Sequence, residues 1–294
     1  MTPKLLNDNA VVTELDISHL VTEDDTPVDN FQSEKQQRLL VEPLYSSWLL
    51  EMPFIAAANV GLFYALKQDP IVPDAMLSLG LEVPTDWSKK QNRSYFVWEL
   101  GKVPDVCIEV VSNREGDELT LSRRSQQQGK PMSKKELYAR IGVPYYAVFD
   151  PLEQLQTPTE MDGALLGVWA LREGRYQPLP SPFWLSSVGL GLTLWEGKFE
   201  GVNGQWLRWC SQDGQVIPTG AEGRDLENQR AETEHQRAEA ERQRAETEHQ
   251  RAEAERQRAE TEHQRAEAER QRADRLAAQL RAMGLDPDNV GDQG

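Results

Sequence analysis

The chain has 294 residues and a net charge of −16, which is room for one or two domains but argues against tight, general binding to DNA. Residues 1–228 carry 20 basic against 32 acidic side chains. Basic clusters at Lys89–Lys90–Arg93 and Arg123–Arg124–Lys130–Lys134–Lys135 still allow approach to an anion through one rim. Two distant cysteines, Cys107 and Cys210, exclude a disulfide framework and a Cys-rich metal site. No charged-then-apolar leader opens the chain, and the apolar run Met52–Leu66 is short and broken by Pro53, Asn59 and Gly61. The expectation is therefore a reducing, cytoplasmic setting with no membrane span.

Residues 1–29 are rich in Asp, Glu, Thr and Asn and read as an acidic, mobile arm. A domain over 30–220 follows. Its first element is a helix within 29–48, whose face of Leu39, Leu40, Pro43 and Leu44 ends near the proline. Strands are predicted at 54–58, 60–66, 71–81 and 95–100, with a polar loop at 83–94. Gly101 to Pro104 makes a turn into a central strand at 106–111. Residues 113–132 form a polar insert. Ser133 and Glu136 match a capping box ahead of a helix that Gly142 ends, and 145–149 is the next strand. Residues 163–218 read as antiparallel strands with Gly turns. Trp169, Tyr176, Phe183, Trp184, Trp195, Trp206 and Trp209 are expected to cover one face. The run Gly189–Leu192 lacks the spacing of a phosphate loop and reads as tight strand packing.

A linker is predicted at 221–228, a charged heptad-repeat helix at 229–283 and a tail at 284–294. The repeat alternates QRAETEH and QRAEAER and contains no large apolar residue from 229 to 275. Its alanines and the small residues two positions later form no a/d seam, so a solvated single helix is favoured over a coiled coil. Glu234–Arg237, Glu241–Arg244 and Glu248–Arg251 have ion-pair spacing. Leu276, Leu280, Met283 and Leu285 form a short apolar end. A contact with a second copy or a partner helix through 229–285 is left open. His235, His249 and His263 recur at the repeat period and read as solvated, which leaves only His19 outside it. A histidine-based triad or zinc hydrolase is thereby disfavoured.

The chemistry concentrates between Pro104 and Pro151. On a strand, Asp105, Cys107, Glu109 and Val111 share one face, and Val106, Ile108, Val110 and Ser112 the other. Glu109, flanked by Ile108 and Val110, is costly to bury unless it is paired or ligates a metal. Its alternatives are a metal-binding carboxylate or a salt bridge to Lys134 or an arginine. Asp74 follows a proline, as does Asp105, and each either joins such a site or starts a strand. Two carboxylates and an ammonium at one sheet end can hold a divalent cation against a phosphodiester.

The order Pro73-Asp74, Glu109-Val110-Val111-Ser112, Lys134 four residues before Tyr138, Gly142-Val143-Pro144-Tyr145-Tyr146 and Phe149-Asp150-Pro151 resembles the Uma-two family of restriction endonuclease-like proteins. That family belongs to the PD-(D/E)xK nuclease superfamily, and the resemblance covers roughly residues 30–215. It implies an α/β fold with a mixed, curved sheet flanked by helices. It also implies a Mg²⁺-dependent DNA endonuclease, with Mn²⁺ as a substitute. Asp74 and Glu109 would be metal ligands and catalytic acids, and Lys134, with Lys135 adjacent, the catalytic lysine. The superfamily lysine two residues after the second acid is Val111 here. The alternative is a catalytically degenerate nuclease fold that acts as a scaffold through its long helix.

Overall fold

The computed structural model describes residues 17, 18, 20, 22, 30–120 and 132–283. The tail at 284–294, residues 121–131 of the polar insert and most of the segment read as an arm lie outside them. The chain divides into two compact units, Met1–Gly223 and Arg224–Gly294.

The first unit opens with helix α1, Phe31–Ser46. Asn30 caps it by accepting from the N–H groups of Gln32 and Ser33, each at 2.9 Å. Pro43 lies inside the helix rather than at its end, and the last turn continues to Ser46. Strands β1 (Phe54–Ala58), β2 (Leu62–Phe63), β3 (Ala75–Leu79) and β4 (Tyr95–Phe96) follow. The strand expected over 95–100 is only two residues long. Val97–Leu100 instead forms a single helical turn, α2, closed by Gly101 at φ 76°. Strand β5 is Val106–Val110, helix α3 Lys134–Ile141 and strand β6 Tyr145–Phe149. Strands β7 (Leu166–Arg172), β8 (Arg175–Pro178), β9 (Phe183–Leu185), β10 (Leu190–Phe199) and β11 (Val202–Cys210) complete the unit.

The main sheet has six strands in the order β1-β3-β5-β6-β7-β8. Only β5 and β6 pair in parallel; the other neighbours are antiparallel. Parallel neighbours need a crossover, and α3 lies within it. The pattern of apolar residues on both faces of β5 is what a central, doubly covered strand requires. Val106, Ile108 and Val110 join the core beneath α1 and the three-stranded sheet β11-β10-β9. Cys107 and Val111 face the second core with Tyr138, Tyr146 and Val148.

The aromatic residues of 163–218 do not cover one face. Trp169 packs in the second core with Tyr146 and Tyr176, whereas Trp209 lies in the first and donates its indole N–H to Leu40 O at 2.7 Å. The chain divides between two sheets after β8, so a single face was never available to them. Gln36 of α1 closes the join. Its amide donates to Leu207 O at 2.8 Å and accepts from Leu207 N–H at 3.0 Å, as a neighbouring strand would. At the N-terminal side, Ile17 is buried against Phe63 and Phe96, and the Lys90 ammonium donates to Ser18 O at 3.0 Å. At these residues the chain packs against the domain.

Helix α4 spans Gly220–Ala282. The segment 221–228, read as a linker, is its first two turns. The start signal is a second capping box: Glu222 N–H donates to Thr219 Oγ1 at 3.2 Å and Thr219 N–H to Glu222 Oε2 at 2.7 Å. Arg208, only 1% exposed, pairs with that Glu222 at 2.7 Å. The helix buries no side chain along its length. The expected Glu–Arg pairs three apart do not close. Among the described residues of the repeat, the ion-pair contacts are His249–Glu253 and His263–Glu267, both at 4.0 Å. Thr233, Thr247 and Thr261 donate to the carbonyls four residues back at 2.7 to 2.8 Å. Among the described residues, no helix is long and apolar enough to cross a membrane.

Candidate metal-dependent site

β3 and β5 run antiparallel with Ala75 opposite Ile108. One residue further on, Asp74 stands level with Glu109. Pro73 has no N–H to continue the ladder, and the Asp74 carboxylate takes over where the strand stops. Its Oδ2 accepts from Val110 N–H at 2.7 Å, and its Oδ1 from the Gln37 amide of α1 at 2.7 Å. A strand end and a helix thus fix one carboxylate at the rim of the sheet.

Glu109 is 1% exposed, on the face of β5 that carries Cys107 and Val111. Helix α3 covers that face. Ser133 and Glu136 form the expected capping box at its start, and Gly142 at φ 91° ends it. Lys134 and Tyr138 lie four residues apart and therefore on one side of the helix. The Lys134 ammonium meets Glu109 Oε2 at 2.7 Å, and the Tyr138 hydroxyl donates to Oε1 at 2.8 Å. Burial pushes the Glu109 carboxyl up to about 8, against the pull of Lys134. Burial alone would lower the Lys134 ammonium, but the charges of Glu109 and Asp74 hold it above its ordinary value.

Lys134 therefore meets Glu109, and Asp74 stands level with Glu109 at the end of the neighbouring strand, across sixty residues of chain. Asp105 does not join them. It lies at the other end of β5, where its Oδ2 accepts from Leu79 N–H and the Lys102 ammonium, both at 2.7 Å. Lys135 points elsewhere as well, with its ammonium 3.7 Å from the centre of the Trp169 ring. Burial lowers its pKa to about 8. Of the two neighbouring lysines, Lys134 is the one at the acids.

Sequence reasoning missed three neighbours. Tyr138 was legible as the residue one turn beyond Lys134. Gln37 left a weaker signal, a polar residue on the buried side of α1. Glu118 left none, because it lies in an insert without periodicity. It is 7% exposed, and its Oε2 has no hydrogen-bond partner. Burial raises its carboxyl above the usual range, with Lys134 pulling the other way.

The donor set suits a hard cation. Each oxygen of Asp74 and Glu109 accepts one hydrogen bond in the contacts above, and a carboxylate oxygen has room for a second partner. Among the described residues, no three His, Cys, Asp or Glu side chains converge closely enough to hold an ion alone. Two carboxylates completed by water and phosphate oxygens match the way Mg²⁺ is usually held. An apolar cavity of about 420 Å³, lined by Ile55, Met76, Trp87 and Tyr95 among others, includes none of the three site residues.

The mixed sheet flanked by helices is restriction-endonuclease-like, the fold of the PD-(D/E)xK superfamily. The family model Uma2, described as "Putative restriction endonuclease", matches residues 22–195, and the chain belongs to that family. No curated protein matches the chain.

Proposed function

We propose that this chain is a Mg²⁺-dependent DNA endonuclease, able to use Mn²⁺, whose site is Asp74, Glu109 and Lys134. The observation that carries this reading is a buried carboxylate paired with an ammonium on an otherwise apolar sheet face, with a second carboxylate level with it at the end of the neighbouring strand. Restriction-endonuclease-like nucleases generally use divalent metals on DNA. Asp74 and Glu109 would hold the ion. The bound ion lowers the pKa of water and neutralises phosphate charge.

The chain's own groups prepare the rest. Val110 N–H and the Gln37 amide fix the orientation of Asp74, and Tyr138 fixes that of Glu109. Lys134 offsets the charge of Glu109 once that carboxyl is ionised. In the reaction its ammonium stabilises negative charge developing on the phosphate.

The completeness of the Glu109–Lys134 pair also favours a second reading, a degenerate nuclease fold in which α4 is the working part. Plasmid cleavage in Mg²⁺ or Mn²⁺ separates the two. Cleavage by wild type that Glu109→Gln and Lys134→Met both abolish supports the nuclease. Cleavage unchanged by these substitutions rejects this site, and none from wild type favours the scaffold.

A further inference from the structure

Segment 117–118 is strapped to the start of α3. Lys134 N–H donates to Asp117 O at 2.8 Å and Lys135 N–H to Glu118 O at 3.2 Å. The hydroxyl of Tyr146, whose ring packs 5.1 Å from that of Tyr138, donates to the same Glu118 carbonyl at 2.8 Å. The backbone of Glu118 is thus fixed by two elements beside Lys134. Its side chain is buried with an unpartnered carboxylate oxygen. A buried acceptor without a donor is costly. The bonds of 117–118 to the N–H groups of Lys134 and Lys135 set it beside the candidate metal site.

We infer that Glu118 is a third carboxylate of this site, a positioning residue whose free Oε2 accepts a hydrogen bond from a water bound to the divalent cation. This inference rests on the nuclease reading and adds a residue to it. Water is the intermediary because no three acidic side chains among the described residues converge to direct ligand distance. An oxygen in this role orients the bound water and raises the affinity of the ion, and losing such a partner typically weakens metal binding about 10-fold to 100-fold.

The test is titration of the full-length chain with Mn²⁺ alone, without DNA, following free Mn²⁺ by its electron paramagnetic resonance signal. Melting of each protein in chelator provides the folding control. Wild type is expected to bind one ion at the site. Asp74→Asn and Glu109→Gln should abolish that binding, and Glu118→Gln should weaken it about tenfold while melting in chelator stays cooperative. If Asp74→Asn and Glu109→Gln lose the ion but Glu118→Gln binds as wild type does, the role of Glu118 is overturned and the nuclease site stands. If wild type holds no Mn²⁺, both fall. Should Glu118→Gln fail to fold, Glu118→Asp decides the same way, since it keeps the charge but draws the oxygen back by one carbon.

Discussion

Both oxygens of Glu109 are engaged inside a face otherwise made of Cys107, Val111, Tyr138 and Tyr146. Removing one partner strands the other. Lys134→Met is expected to cost roughly 3 kcal/mol or more in urea unfolding above pH 8, where the Glu109 carboxyl is ionised, the usual penalty for breaking a buried pair. Tyr138→Phe leaves the buried Oε1 of Glu109 without its donor and should cost about 1–3 kcal/mol. Proton linkage gives a further expectation. The folded carboxyl keeps its proton up to about 8, whereas an unperturbed one loses it near 4.5. Between these values the folded state binds more protons, so stability falls as pH rises. Urea midpoints of the metal-free protein should therefore drop from pH 5 to pH 8, and Glu109→Gln should remove most of that slope. Equal slopes in the two proteins would contradict a buried, proton-holding Glu109.

At the scale of the element, α3 shows how short-range signals deliver a side chain to a distant partner. An eight-residue helix is marginal alone. The Ser133–Glu136 capping box sets its start, and Gly142, with Val143 N–H donating to Tyr138 O at 3.0 Å, ends it. These ends determine that Lys134 and Tyr138, rather than Lys135, face β5. Ser133→Ala and Gly142→Ala are each expected to lower stability by about 1 kcal/mol. Helix α1 has a comparable dependence on one residue. Replacing Gln36 by Leu leaves the N–H and C=O of Leu207 without partners, at an expected cost of about 1–3 kcal/mol. Wild-type urea midpoints in either α3 variant would mean that these caps do not hold the helix.

For the whole molecule, the two units differ in what they bury. The first contains both large apolar cores, and α4 buries no side chain. Deleting residues 229–275 should leave a domain that melts cooperatively, because the Arg208–Glu222 pair and the Thr219 cap lie before the deletion. Calorimetry of the shortened chain checks this, and loss of a cooperative transition would contradict it. The helical repeat was legible from composition and period, yet its start was not. The reading began α4 at the first QRAETEH, whereas the Thr219–Glu222 box begins it nine residues earlier. That box was visible in the sequence, but its value comes from Arg208, a buried cation that strand periodicity does not flag.

Local pattern alone determined the long helix, the central strand at Val106, the α3 caps and the candidate acids. Each depends on neighbours within a few residues, where backbone geometry repeats. The tertiary structure decided which candidates lie side by side. It paired Asp74 with Val110 and Gln37, chose Lys134 over Lys135, and retired Asp105 to a turn at the far end of the strand. It also exposed Glu118 as an acid without a partner. The physical reason is that a charge is tolerated in an apolar face only by the groups that fold against it. Those groups come from strand register and helix packing across sixty residues, which no local window contains.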